Sequence, residues 1–240
     1  MAQLPVISGF RGITRYMRRL NVLIVSCCLL PLWGQSGSDD VQKLVEKLYP
    51  KNQRLKDIRM GEIVTQLSIR EGSQVADVGC GSGQFSVILS NVVGASGKVY
   101  CEDIADGKQF GLSAAKNNLK KQHVKNAVLI HGLAEDPKLP AGLDAVMIIN
   151  SYHEMVKYQA MLQHIRESLK PGGHLVIMDN RPLRTASRPR DKQTQNHVLS
   201  VDLAVGELEA AGFRVVHRED GFIDNPDVES AHWLIVGEPR

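Results

Sequence analysis

Three glycines spaced G-x-G-x-G, Gly79, Gly81 and Gly83, carry the densest chemical signal in the chain. They follow the apolar residues Val75, Ala76 and Val78, which suit a strand buried on both faces. A turn almost free of side chains lets backbone N–H groups approach a ligand closely. A helix begun just after it aims unpaired N–H groups and a partial positive charge at the same place. Asp77 would lie inside the strand, where an unpaired carboxylate is costly. It is therefore expected to accept hydrogen bonds from the glycine turn or to meet a bound cation. Glu102 and Asp103 end the next apolar run, Val99 onward, where an acid grips ribose hydroxyls in nucleotide-binding α/β folds. Both are candidates, with capping of the following helix as the alternative. His153 has an ordinary pKa near neutrality and is a candidate general base.

Alternating strand and helix patterns must position these residues. Helices are predicted over 39–49 and 55–67, then strands at 75–78, 99–103, 127–131 and 143–149, with helices between them, including one over 108–121. A helix over 154–169 leads to the turn "LKPGG" and a strand ending at Asp179. Pro171 and Gly172 make that turn tight, and Gly173 lets the strand enter close to its neighbours. Residues 180–195 read as an irregular loop, with Pro182 and Pro189 opposing regular structure. Arg181, Arg184, Arg188, Arg190 and Lys192 stand there against a single acid, Asp191, so the loop is read either as a lid favouring an anionic molecule or as a solvated segment. A last helix over 198–211 stops at Gly212. Strands at 214–217 and 231–237 follow, joined through 221–229 with a turn at Asn225 and Pro226.

A dinucleotide fingerprint wants G-x-G-x-x-G, and Gln84 stands where its third glycine would be. Four motifs in order, "VADVGCGSG", "VYCEDI", "LKPGG" and "ELEAAGF" followed by a hairpin, resemble the class I S-adenosylmethionine (SAM)-dependent methyltransferases. The resemblance covers roughly 40–237, and its look is closest to signal-peptide-bearing bacterial methyltransferase-like proteins. It implies an α/β, Rossmann-like seven-stranded sheet with an antiparallel terminal hairpin and helices on both faces. It also implies SAM as cofactor, held by Asp77, Gly79, Gly81, Gly83, Glu102, Asp103, Ala134, Glu135 and Asn150. By register with the family, Asp103 is the better ribose ligand of its pair. The family often places an acid after Gly132 for the adenine amino group. Here that position is Leu133, so the Ala134 N–H and Glu135 or Asp136 are the expected substitutes.

The end of the fourth strand faces the transferred group. It reads Asn150-Ser-Tyr-His, without the prolines of the branches that methylate adenine or glutamine nitrogen. Tyr152 is a candidate for shaping the methyl-donor pocket or placing a substrate, and His153 for taking a proton. The structural alternatives are a core position for Tyr152 and a helix cap for His153. His197 is assigned no role. The expected reaction is methyl transfer to a small-molecule acceptor. A non-catalytic SAM-binding scaffold is the alternative, and a nicotinamide dehydrogenase is disfavoured by the glycine spacing and the hairpin.

The net charge of +3 is too small to argue for nucleic acid. The cysteine and histidine spacing suggests no zinc site. Residues 1–36 contain no acid: arginines at 11, 15, 18 and 19 precede the apolar run 22–33, and small residues follow. That is the layout of a secretory signal, too short for a comfortable membrane span. The segment 1–36 is therefore read as a targeting segment and 37–240 as the methyltransferase domain. Export to the periplasm or exterior is expected, with a mitochondrial transit peptide or an N-terminal membrane anchor as alternatives.

Overall fold

The computed structural model describes residues 36–184, 186–225 and 230–240. The chain divides into two units, 1–32 and 33–240, and everything described belongs to the second. The targeting segment and part of the final turn, 226–229, lie outside the described residues.

Seven strands form one sheet: β1 (Gln74–Val78), β2 (Lys98–Asp103), β3 (Ala127–His131), β4 (Leu143–Ile149), β5 (Leu169–Asn180), β6 (Phe213–Asn225) and β7 (Ser230–Pro239). Their spatial order is β3-β2-β1-β4-β5-β7-β6. The first five run parallel, and β7 is antiparallel to both β5 and β6. The sheet is the one the resemblance implies. The strand order reverses between β1 and β4, so a crevice opens there beyond the carboxyl ends of the strands.

Alternation along the strands sorts their side chains into two cores. Val75, Met147, Val176 and Leu234 point into one, with α1 (Ser36–Leu48), α2 (Gln53–Asp57), α3 (Met60–Leu67) and α4 (Gln84–Val93). Ala76, Val78, Ile148, Ile177 and Trp233 point into the other, with α6 (Tyr158–Ser168) and α8 (Val201–Ala210). The short α5 (Leu112–Lys121) closes a small third cluster over Cys80 and Cys101.

Four local expectations are corrected. The helix expected over 55–67 is two, broken where Arg59 leaves helical geometry at φ −71°, ψ 59°. Its guanidinium instead bonds Glu62, Glu219 and the Phe222 carbonyl, tertiary partners that outweigh one more helical turn. The 154–169 helix starts only at Tyr158, because residues 152–154 form a separate 3₁₀ turn tied to β5. "LKPGG" is a bulge within β5, its pairing with β4 jumping from Leu143↔Leu169 to Ala145↔His174. A Cβ on Gly173 would lie 3.0–3.1 Å from three backbone oxygens, so the close approach there requires glycine. Finally, the terminal hairpin is longer than its apolar stretches: β6 continues to Asn225.

Regular structure occurs within the basic segment. A short helix, α7 (Arg190–Thr194), carries the fully buried Gln193. Its amide donates to the carbonyls of Ala186 and Arg188 and accepts from the Ser200 N–H. Pro189 supplies the N-cap of that helix instead of preventing it.

Candidate active site

The glycine turn leaves β1 in left-handed geometry, with φ of 72° at Gly79, 54° at Gly81 and 70° at Gly83. Its N–H groups are collected by the acids that end β2. Gly81 donates to Asp103 Oδ2 at 2.8 Å, and Gly79 reaches Glu102 Oε2 at a long 3.4 Å. Asp103 Oδ1 accepts from the Ala105 N–H at 2.8 Å, so both of its oxygens are engaged by backbone. Glu102 differs. It is 1% exposed, and its Oε1 is buried without a partner. That oxygen faces Gly132, where a Cβ would come within 1.9 Å of it. Burial is the main force pushing the Glu102 carboxyl up to about 8. The Gly79 N–H opposes that, and the charges of Asp103, Asp77 and Asp136 add to it.

Asp77 is fully enclosed and accepts a 2.6 Å hydrogen bond from Ser86 Oγ in the first turn of α4. The expected partner, the glycine turn, is corrected: the Gly79 and Gly81 N–H groups go to β2. Burial raises the Asp77 pKa to about 7, the Ser86 hydroxyl works against that, and the Asp103 charge adds to it.

A disulfide joins Cys80, between the first two glycines, to Cys101 of β2, with Cα atoms 5.6 Å apart. It fastens the turn to the strand bearing Glu102 and Asp103. Two cysteines 21 residues apart gave no sign of this in the sequence; their neighbourhood comes from the β1–β2 register, Asp77↔Cys101.

On the β4 side, Asn150 adopts φ 53°, and its Oδ1 is buried without a partner. A cavity of about 580 Å³ opens beside it, lined also by Arg54 and Asp57 of α2, Asn180, Arg181 and His197. His153 is 5% exposed. Its Nδ1 donates to Asp179 Oδ1 at 2.7 Å, while its backbone N–H donates to Asp179 Oδ2 at 2.8 Å. Its Nε2 lies 3.0 Å from Glu154 Oε1, which also receives His197 Nδ1 at 2.5 Å. Burial disfavours the charged ring, but Asp179 and then Glu154 outweigh it, and the His153 pKa is raised.

Tyr152 is not brought to this place. Its ring is fully buried in the second core, and its hydroxyl donates to Glu207 Oε2 at 2.7 Å. The sequence placed it beside His153, but successive residues of a tight 3₁₀ turn point in different directions. Ala134 and Glu135 are exposed on the loop after β3, as is Leu133. Of the basic loop, Arg181 lines the cavity and pairs with Asp224 at 3.2 Å. Arg190 turns away, to Glu207 at 2.9 Å and over the Tyr158 ring at 4.3 Å. Of the segment's five cationic side chains Arg181 alone lines the cavity, which favours the solvated-segment reading over the cationic lid.

Comparison with known proteins agrees with this architecture. Residues 69–216 match the family model described as "Methyltransferase domain". The chain belongs to that family. A demethylmenaquinone methyltransferase of Geobacillus sp. (strain WCH70) is 25% identical over 154 residues, 60% of this chain and 64% of that protein. The chain thus spans slightly under two thirds of that relative. A SAM-dependent methyltransferase from Aquifex aeolicus superposes with a TM-score of 0.64 at 23% identity, covering 83% of this chain and 97% of its own. The [4+2]-cyclase SpnF does so with 0.65 at 18% identity, covering 87% and 97%. At these identities the two structures establish the fold alone.

The methyltransferase domain takes S-adenosylmethionine as methyl donor, and the residues present fit that group. Glu102 Oε1 and Asn150 Oδ1, at the ends of β2 and β4, are buried acceptors without protein donors. A ligand rich in hydroxyl and amino donors satisfies both, whereas leaving them bare costs about 1–3 kcal/mol each.

Proposed function

We propose that the protein transfers the methyl group of SAM to a small-molecule acceptor bound in the cavity between α2 and the ends of β4 and β5. The observation that carries this is the pair of unpartnered acceptors, Glu102 Oε1 and Asn150 Oδ1, on either side of the glycine turn. Glu102 holds the ribose hydroxyls, Asn150 the amino-acid end, and Asp103 keeps the turn in shape. SAM, when bound, supplies an electrophilic methyl whose S–C bond breaks as the acceptor forms its new bond, the electron pair returning to sulfur. The chain's own contribution is to hold the acceptor at attack distance. The proton of a hydroxyl acceptor leaves at the edge of the cavity that His197 lines. Arg54 and Asp57 of α2 and Arg181, which is paired with Asp224, give the wall charges of both signs to hold a polar acceptor. The small-molecule substrate named for the Geobacillus relative supports a small-molecule acceptor.

Export of the mature domain is part of this reading. The acid-free start supports it, and so does the Cys80–Cys101 disulfide, since disulfides persist in oxidising compartments.

The test is titration calorimetry of the purified protein with SAM and S-adenosylhomocysteine, followed by incubation with methyl-labelled SAM and small-molecule extracts. Micromolar binding and label in a small molecule are expected. Absence of binding at millimolar SAM overturns the reading. Binding without transfer to any extract favours a SAM-binding scaffold.

A further inference from the structure

We propose that His153, Glu154 and His197 form a binding site for a divalent transition-metal ion, Zn²⁺ being the best match, at the rim of the acceptor cavity. The three donor atoms lie within 4.8 Å of one another. They come from two separate places: residues 153 and 154 from the turn after β4, and His197 from the segment before α8.

The first argument is electrostatic. Asp179, itself fully buried, can only accept, so Nδ1 of His153 carries the proton of that contact. The other ring nitrogen, Nε2, faces Glu154 Oε1 at 3.0 Å. His197 Nδ1 converges on the same oxygen at 2.5 Å. Two imidazole nitrogens directed at one carboxylate oxygen draw positive charge to that point. One divalent ion supplies it to all three donors at once.

The second argument is the support behind the cluster. Asp179 clamps His153 through both ring and backbone. A carboxylate on the far nitrogen fixes ring orientation and raises ligand basicity, as around metal-bound histidines generally. His197 is held in left-handed geometry at φ 55°, and its carbonyl accepts from Asn180 Nδ2 at 3.0 Å. Its ring stands edge-on to that of His153, with centroids 5.6 Å apart.

The third argument is chemical fit. Two imidazoles and one carboxylate suit Zn²⁺ and its first-row neighbours, and three protein donors leave coordination positions open. Bonds of about 2.0–2.2 Å place neighbouring donors roughly 3.0–3.5 Å apart, so the two contacts to Glu154, at 3.0 and 2.5 Å, lengthen by no more than about 1 Å. The exposed Glu154 and His197 side chains allow that.

What the ion does rests on the methyl-transfer reading; that it binds does not. An acceptor X–H coordinated there releases its proton to water, because the ion stabilises the anion. The X–C bond then forms as the S–C bond breaks.

The test uses untagged, chelator-stripped protein titrated with Zn²⁺, and with Co²⁺ for its visible absorption. One equivalent at micromolar affinity or tighter is expected, with a Co²⁺ band marking nitrogen ligation. His197→Ala and Glu154→Ala should each lose at least 10-fold, as should Asp179→Asn if it folds. Circular dichroism of each variant certifies the fold. No uptake by wild type, or equal uptake by His197→Ala and Glu154→Ala, overturns the site. SAM titration of the same stripped protein is read separately, so loss of the metal proposal leaves the cofactor reading standing, and the reverse.

Discussion

At the residue scale, the two acids ending β2 do different work. Asp103 spends both oxygens on the backbone of Gly81 and Ala105, while Glu102 keeps one oxygen for a ligand. Glu102→Ala should therefore weaken SAM binding about 10–100-fold, the worth of one or two hydrogen bonds to a charged group, with little change in melting temperature. Asp103→Ala should lower the melting temperature as well, because the turn loses its anchors. Calorimetry and thermal melts separate the two; equal effects on both measures would remove the distinction. Titration gives a second expectation. The folded pKa of Glu102 is about 8 against an ordinary 4.5, so the ligand-free fold holds that proton more tightly than the unfolded chain. Its stabilising contribution is full below about pH 4.5 and is lost as pH rises through about 8. Asp77, at about 7, acts in the same direction. Melting temperature without ligand should fall between pH 5 and 8, and Glu102→Gln should flatten part of that slope. Ribose hydroxyls donate to the ionised form, so SAM binding at pH 7 should release protons, measured by calorimetry in buffers of different ionisation enthalpy.

At the element scale, the strand–turn–helix unit of β1 and α4 is held from behind by a covalent link. The Cys80–Cys101 bridge closes a loop of 21 residues. A loop of that size corresponds to about 3 kcal/mol of stabilisation in the chain-entropy account. Cys80→Ser should lower the melting temperature by about 6–12 °C in a domain of this size. It should also weaken SAM binding, because the freed turn must be ordered at binding; unchanged affinity would confine the bridge to a structural role. The basic segment after β5 teaches a different lesson about elements. Its prolines and arginines leave open a lid or a solvated loop. One buried amide, Gln193, bonds two of the segment's carbonyls and the Ser200 N–H beyond it. A lone glutamine in a polar stretch carries no visible sign of burial.

At the scale of the whole molecule, the proposal that 1–36 directs export is checked by fractionating cells expressing the full chain. Mature protein lacking the segment should appear outside the cytoplasm with the Cys80–Cys101 bridge formed, and a full-length, reduced cytosolic form would contradict it. The sequence by itself located the strands and the glycine turn, and the resemblance it carries implied the seven-stranded sheet and the cofactor. Burial on both faces, glycine turns and acids at strand ends are local signals, and strand alternation is read from period alone. It also brought His153 and Glu102 into consideration. The tertiary structure decided what depends on distant segments meeting. It sent Tyr152 into the core against Glu207, made Ser86 the partner of Asp77, and bonded Cys80 to Cys101. It also carried His197 across 43 positions to Glu154 beside His153. Such contacts have no period and no fixed spacing. They are set by which side chains the packed strands and helices leave facing one another, and only the folded chain contains that.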